Sequence, residues 1–471
     1  MNYRTYASPF SWRYGRPELR ALFSEYERRR LWRAVWIALA EAQSEAGLVS
    51  PEELADLRAH GDDIDLEAAH KIEAEIHHDL MAEIRLFARQ APRGGGKLHL
   101  GSTSMDIEDN VEIYRLRRAL SLIGAALRAL LVAFAKQIRE HAGDVCMGFT
   151  HLQPAEPTTL GHRLAVYAQD LVIDDAVLRL VFENLTAKGM RGAVGTSASY
   201  EQLLQRPGAS ADQERVILEK LGLTARDVST QTYPRKLDYL LIASLAGLGA
   251  SLSKFAADVR MLSSPEFGEL QEPFAKSQVG SSAMPFKRNP ILSERICSLA
   301  RLLPSYADVA WQNAATNYLE RTLDDSANRR TILPEAMLCA DELVSLATRV
   351  IEGLTINTRR MAENLRTYGP FAGTEAVMME AVRSGGDRQV LHEAVRTAAM
   401  TSWSALSRGE DNPLARLLTE EEELTDRLDP AEIRRLLDPS KHVGTAQQRA
   451  LAVAERIEKL PPFPIQKEVK A

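Results

Sequence analysis

Leu116-Arg117-Arg118-Ala119-Leu120-Ser121-Leu122-Ile123-Gly124-Ala125-Ala126-Leu127-Arg128-Ala129-Leu130-Leu131-Val132-Ala133-Phe134 decides the fold. Leu116, Leu120, Ile123, Leu127, Leu130, Leu131 and Phe134 recur at steps of three and four, the spacing of one helix face. Leu160, Leu164, Tyr167, Leu171, Val172 and Leu178 repeat the pattern, as do Leu237, Leu241, Leu245, Leu248 and Leu252. Sustained β-branched alternation is hard to find, so few strands are expected. Long helices this apolar predict an all-α protein built on a central helix bundle. Several faces are too apolar for one copy of the chain to cover, which predicts homo-oligomerisation.

Outward from that stretch, the chain changes character twice. Arg93-Gly94-Gly95-Gly96-Lys97 separates a charged region of short helices from the long ones, and shorter helices resume near Asn357. The expected division is an N-terminal helical domain over 1–103, a central bundle over 104–356 and a C-terminal helical domain over 357–471. A length of 471 residues fits three domains at ~150 residues each. Pro461-Pro462-Phe463-Pro464 stops a helix and reads as a surface strap.

A net charge of −6 argues against a nucleic-acid partner, which favours a basic stripe, but leaves room for an anionic metabolite in a local arginine pocket. Cys146, Cys297 and Cys339 form neither a disulfide framework nor a CxxC knuckle, so a reducing, cytoplasmic setting is expected. The first residues, Met1 to Tyr6, lack the apolar core of a secretory signal. The uncharged run Tyr239 to Ser253 falls short of the ~20 residues that span a bilayer, so no membrane partner is expected. No P-loop or GxGxxG follows a strand, and no cofactor is expected. His70, Glu73, His77 and His78 crowd together without an HExxH pattern, and no metal is expected.

The chemistry concentrates in Gln278-Val279-Gly280-Ser281-Ser282-Ala283-Met284-Pro285-Phe286-Lys287-Arg288-Asn289-Pro290. Small residues permit a mobile loop, and Pro290 suits the first turn of a helix opening at Ile291. A hydroxyl-rich loop leading into a helix N-terminus beside a lysine suits an anionic small molecule.

This run is similar to the signature loop of the fumarase/aspartase superfamily, whose members release fumarate by β-elimination. Arg13-Tyr14, His77-His78-Asp79, His99 to Ser104, Gly148 to Pro154, Gln231 to Lys236 and Glu320 to Arg330 extend the resemblance over nearly the whole chain. Within the superfamily the pattern resembles the adenylosuccinate lyase family. The resemblance implies a three-domain fold assembled as a homotetramer, with sites shared between subunits and a small-molecule nucleotide substrate. It implies cleavage of adenylosuccinate to AMP and fumarate, and of the succinylated aminoimidazole carboxamide ribotide to its carboxamide and fumarate.

The roles implied are Ser281 as base, with Ser282 as its nearest competitor, and His151 as general acid. Lys287 supplies a cationic field, and Glu294 orients the imidazole of His78. Arg13, Tyr14, His77, Asp79, Thr103, Ser104, Thr150, Gln231, Asn289, Arg295, Arg321, Ser326 and Arg330 are the implied substrate contacts. Many relatives carry arginine where this chain has His77, so a permanently charged fork is replaced here by a titratable ring. Argininosuccinate lyases and cycloisomerases share the loop, but the arginines around Ser326 favour a phosphate-bearing substrate. A catalytically silent member would be expected to lack Ser281, Lys287 or His151, and all three are present.

Overall fold

A computed structural model describes residues 4–469. The elements that position the site are α1 (Glu25–Glu45), α2 (Leu66–Ile76), α3 (Asp79–Gln90), α4 (Ser104–Glu140), β1 (Val145–Thr150), β2 (Gln153–Thr159) and α5 (Leu160–Asn184). They continue with α6 (Ala209–Leu221), α7 (Lys236–Leu262), β3 (Leu270–Gln271), α8 (Ile291–Ala300), α9 (Leu302–Ala315) and α10 (Ser326–Glu352). β4 (Thr355–Ile356), α11 (Thr358–Tyr368) and α12 (Ala446–Glu458) complete the set.

The four longest helices of the centre, α4, α5, α7 and α10, form the expected bundle, with α4 packed on α5 and α10 and α7 packed on the same two. All seven residues of the recurring pattern between Leu116 and Phe134 are fully buried. Each is worth about 1.5–3 kcal/mol relative to exposure, so this one stripe outweighs any single ion pair in the molecule. Phe134 of α4 meets Phe255 of α7 edge-on, with ring centroids 5.1 Å apart. This core runs without a break from Phe10 to Phe463, while Val377, Leu391, Leu414, Leu418, Leu424 and Ile433 build a second core of their own. By length and composition α4 and α7 could each cross a membrane. Yet α4 buries the carboxylates Asp106 and Asp109, and α7 buries Asp238, all paired with cations inside the bundle.

Those carboxylates tie distant segments together. Asp106 accepts hydrogen bonds from the Lys188 ammonium, the Tyr200 hydroxyl (3.2 Å) and the backbone amides of Arg191 and Gly192 (3.1 Å each). One turn on, Asp109 accepts from Arg235 at 3.1 Å and from the Tyr233 amide at 2.9 Å. Arg235 also reaches Asp325 at 2.6 Å, just ahead of α10.

Two local expectations need correcting. Pro154 and Pro157 argue locally for a loop before α5, yet residues 153–159 form β2, paired antiparallel with β1. A two-stranded ribbon has an open edge on either side, so Pro154 and Pro157 cost it few hydrogen bonds. The turn is His151-Leu152, with φ of 53° and 60°, the two-residue left-handed geometry that matches the twist of a hairpin. The tail also does more than lie on the surface. Phe463 is only 5% exposed and rests where Gly124 has no side chain, and Gln466 is 1% exposed. Gln466 donates to the Leu221 carbonyl (2.9 Å) and accepts from Arg117 (2.8 Å), while Arg179 donates to the carbonyls of Pro461 and Pro462.

A Cβ on Gly124 would stand 2.2 Å from the Phe463 ring. Gly124→Ala gains about 1 kcal/mol of helix propensity but must expel a buried aromatic worth more than that. The variant is predicted to melt at lower temperature and to lose residues beyond 459 to limited proteolysis, where the parent chain keeps them.

Candidate active site

The α2–α3 corner carries the first group of expected residues. His77 ends α2 in the left-handed conformation, with φ of 56°, and His78 caps α3 by accepting the Met81 amide at Nδ1, 3.3 Å away. Asp79, the first residue of α3, accepts from Leu80 N at 2.8 Å and from the Arg330 guanidinium at 2.9 Å. That second bond brings the α2–α3 corner to the start of α10, 251 residues away in sequence.

Arg321, Ser326 and Arg330 line one cavity of about 280 Å³, together with Arg28, Glu108 and Arg115. An open groove of about 680 Å³ adjoins it, sharing Glu25, Arg28 and Arg330 and adding His70, Glu73 and His77. Pro334, inside α10, cannot donate to the Arg330 carbonyl, so that oxygen lacks its helical partner at the cavity wall. Local ion pairing is present in this stretch as well, since Arg321 bonds Asp325 at 2.7 Å. Arg329 differs from its neighbours. It is turned inward to Asp238 at 2.8 Å and to the Tyr233 hydroxyl, and so serves the bundle.

Gln231 stands beside this group, because its amide donates to the Glu320 carbonyl at 3.2 Å. Thr103 is the N-cap of α4 and Ser104 its first residue, with the Thr103 amide donating to Asp106 at 3.0 Å. The buried carboxylate therefore fixes where this pair of hydroxyls begins. His99, a few residues earlier in the chain, is held near a pKa of about 4 by burial and accepts from Trp36 Nε1 at 3.1 Å, so it is a neutral structural ring. Arg13 is exposed, its guanidinium 5.7 Å from the Trp12 ring and 5.9 Å from the Tyr14 ring.

Thr150 and His151 form a second group at the exposed tip of the β1–β2 hairpin, which packs on α11. The third group is the loop before α8. Ser281 Oγ accepts from the amides of Ala283 (3.3 Å) and Met284 (3.1 Å). Asn289 closes the loop by donating to the Gly280 carbonyl at 3.0 Å. Gly280 is obligatory there, since a Cβ would meet the Lys287 carbonyl at 2.1 Å. Lys287 and Phe286 are exposed.

The helix start behind this loop does not have the role expected of it. Pro290 occupies the N-cap, one residue before the first turn, and the amides of Leu292 and Ser293 both donate to Glu272 at 2.9 Å. An internal carboxylate already satisfies these amides at the positive end of α8, so they are not free for Ser281 or a substrate anion. Glu294 and Arg295 lie beyond it, and within one chain Glu294 forms no bond to His78. Among the described residues no hydrogen bond, ion pair or ring contact joins the Arg330, His151 and Ser281 groups. No group of three or more metal-ligating side chains is present among them either.

Sequence reading missed Arg28, Glu108 and the Asp106–Lys188 pair. Its available signal was four acids, Asp106, Glu108, Asp109 and Glu112, at the head of an otherwise apolar helix.

Residues 13–302 match the family described as Lyase, and residues 370–452 match that described as Adenylosuccinate lyase C-terminus. The adenylosuccinate lyase of Schistosoma mansoni is 38% identical over 84% of this chain and 83% of its own. That of Saccharomyces cerevisiae is 36% identical over 95% and 94%, and that of Pyrococcus horikoshii 33% over 96% and 98%. Among solved structures, a fumarate lyase from Mesorhizobium sp. BNC1 superposes with a TM-score of 0.82 over 96% of this chain and 99% of its own, at 24% identity, a likeness of fold alone. With this identity spread over nearly its whole length, and with both the lyase core and the C-terminal module in place, the chain belongs to the adenylosuccinate lyase family.

Proposed function

We propose that this protein cleaves adenylosuccinate to AMP and fumarate, and the succinylated aminoimidazole carboxamide ribotide to its carboxamide and fumarate. The observation that carries this reading is the cavity in which Arg321, Ser326 and Arg330 converge, in a chain that belongs to this family. Two guanidiniums and a hydroxyl offer charge-assisted, bidentate donors suited to a phosphate. Arg13 and Tyr14 serve as further nucleotide contacts, and His77 and Asp79 line the approach to Arg330.

The reaction removes a proton from the succinyl carbon beside a carboxylate. That electron pair becomes the new double bond, and the carbon–nitrogen bond breaks as the leaving nitrogen gains a proton. Ser281 takes the first proton and His151 delivers the second. Two backbone amides aimed at Ser281 Oγ favour its alkoxide, as donors directed at an oxyanion do, whereas Ser282 Oγ accepts none. This supports Ser281 over Ser282 as the base. His151 has the ring chemistry for proton delivery near neutral pH, and its place at a hairpin tip lets it project beyond its own subunit. Lys287 and Asn289 hold the dianionic intermediate with Thr103, Ser104, Thr150 and Gln231. His78, Glu294 and Arg295 complete the binding surface.

The site is assembled between copies of the chain in a homotetramer. Val166, Ile173, Val177 and Leu180 form one stripe along α5, each at least 42% exposed, and give the copies an apolar face on which to meet.

Ser281→Ala and His151→Ala are each predicted to abolish fumarate release, followed by ultraviolet absorbance, while AMP binding persists in calorimetry. Near-normal turnover in either variant would remove the role assigned to it. Arg330→Ala removes a charged hydrogen bond worth about 1.5–3 kcal/mol, so KM for adenylosuccinate should rise roughly 10- to 150-fold with a smaller change in kcat.

A further inference from the structure

The cavity that holds Arg321, Ser326 and Arg330 is lined by four carboxylates, Glu25, Glu108, Asp109 and Glu112, and one of them stands without a partner. Glu108 lies in the second turn of α4, half-buried, on the same wall as Arg28 and Arg330. Every other acid around it is engaged. On α1, Glu25 bonds Arg28 and Arg29, and on α3, Asp79 bonds Arg330. On α4 itself, Asp109 bonds Arg235, and Glu112 bonds Arg115 through Oε2 while its Oε1 is buried without a donor. From α10 and the segment before it, Arg329 faces Asp238 and Arg321 faces Asp325. Among the described residues Glu108 makes no hydrogen bond or ion pair, and Arg28 Nε is buried without an acceptor.

We propose that Glu108 controls phosphate affinity by acting through Arg28 and Arg330: as a neutral acid it leaves their unpaired N–H donors to the nucleotide phosphate, and as a carboxylate it competes for them. The inference rests on the reading that Arg321, Ser326 and Arg330 bind that phosphate. An unpaired carboxylate beside a dianionic phosphate would repel it, so binding selects the protonated form. The surroundings favour that form. Burial, then the neighbouring charges of Asp79 and Asp109, push the Glu108 pKa up to about 8, against the opposing pull of Arg28 and Arg330. The substrate phosphate loses its second proton near pH 6, so changes above pH 7 belong to the protein.

The neutral fraction of Glu108 falls from about 0.9 at pH 7 to about 0.1 at pH 9, so apparent affinity falls about tenfold over that interval. Glu108→Gln keeps the shape and fixes the neutral state. Steady-state kinetics between pH 7 and pH 9 should show KM rising about tenfold in the parent enzyme and less than about threefold in the variant. Isothermal titration with inorganic phosphate should show the same divergence in Kd, a readout that needs no turnover. Parallel KM and phosphate-affinity profiles in the two proteins would overturn the inference, as would a pH effect confined to kcat. If phosphate affinity diverges as expected but neither protein releases fumarate, the functional reading fails and the assignment of Glu108 to a phosphate cradle stands.

Discussion

Asp106 and Asp109, in the first turns of α4, decide where the rest of this end of the bundle can be. A buried charge costs several kcal/mol unless a counter-charge and hydrogen bonds meet it, and removing one partner of such a pair typically costs about 3–5 kcal/mol. The segments that supply those partners therefore have one place to go. Lys188, Arg191 and Gly192 come in from the chain after α5, Tyr233 and Arg235 from the chain before α7, and Arg235 extends the network to Asp325 at the head of α10. Thr103, Gln231, Arg321 and Ser326 all lie within a few residues of these anchors. Apolar packing gives the bundle its stability, and this network gives one end of it its geometry.

The same rigidity keeps the chemical groups apart. The hairpin bearing His151 is seated on α11, the loop bearing Ser281 is pinched shut by Asn289 and Gly280, and the arginine cavity is fixed by α3 and α10. In the proposed mechanism proton removal, proton delivery and phosphate binding must converge on one substrate. On that proposal, convergence comes from bringing copies of the chain together, with the exposed hairpin tip and loop as the parts that reach across.

Much of the architecture was legible in the sequence, because a 3.6-residue apolar period survives any detail of packing. The stripe from Leu116 to Phe134 is buried as its spacing demanded. Thr103-Ser104 was readable as a cap because Asp106 follows at the required distance, and the arginines around Ser326 were readable as a cluster. Contacts between segments far apart in sequence were not. Nothing local says that Arg329 turns inward while Arg330 reaches Asp79, or that Glu272 fills the positive end of α8 that suits an anionic small molecule by sequence. The β1–β2 hairpin was hidden because its turn uses His and Leu at positive φ, without the Asn-Gly signal, and because two prolines in the second strand argue locally for a loop. Gln466 and Phe463 were hidden because their partners lie more than 200 residues upstream.

The central claim is that one catalytic centre draws Ser281 and His151 from different copies of the chain. It is tested most directly by mixing Ser281→Ala and His151→Ala subunits under mild dissociation, reassociating them and measuring fumarate release. Shared sites predict that two preparations inactive alone recover activity together, up to about a quarter of the parent rate, because some reassembled sites hold both native side chains. Mixed oligomers that form, as mass spectrometry would show, and yet remain inactive would contradict it.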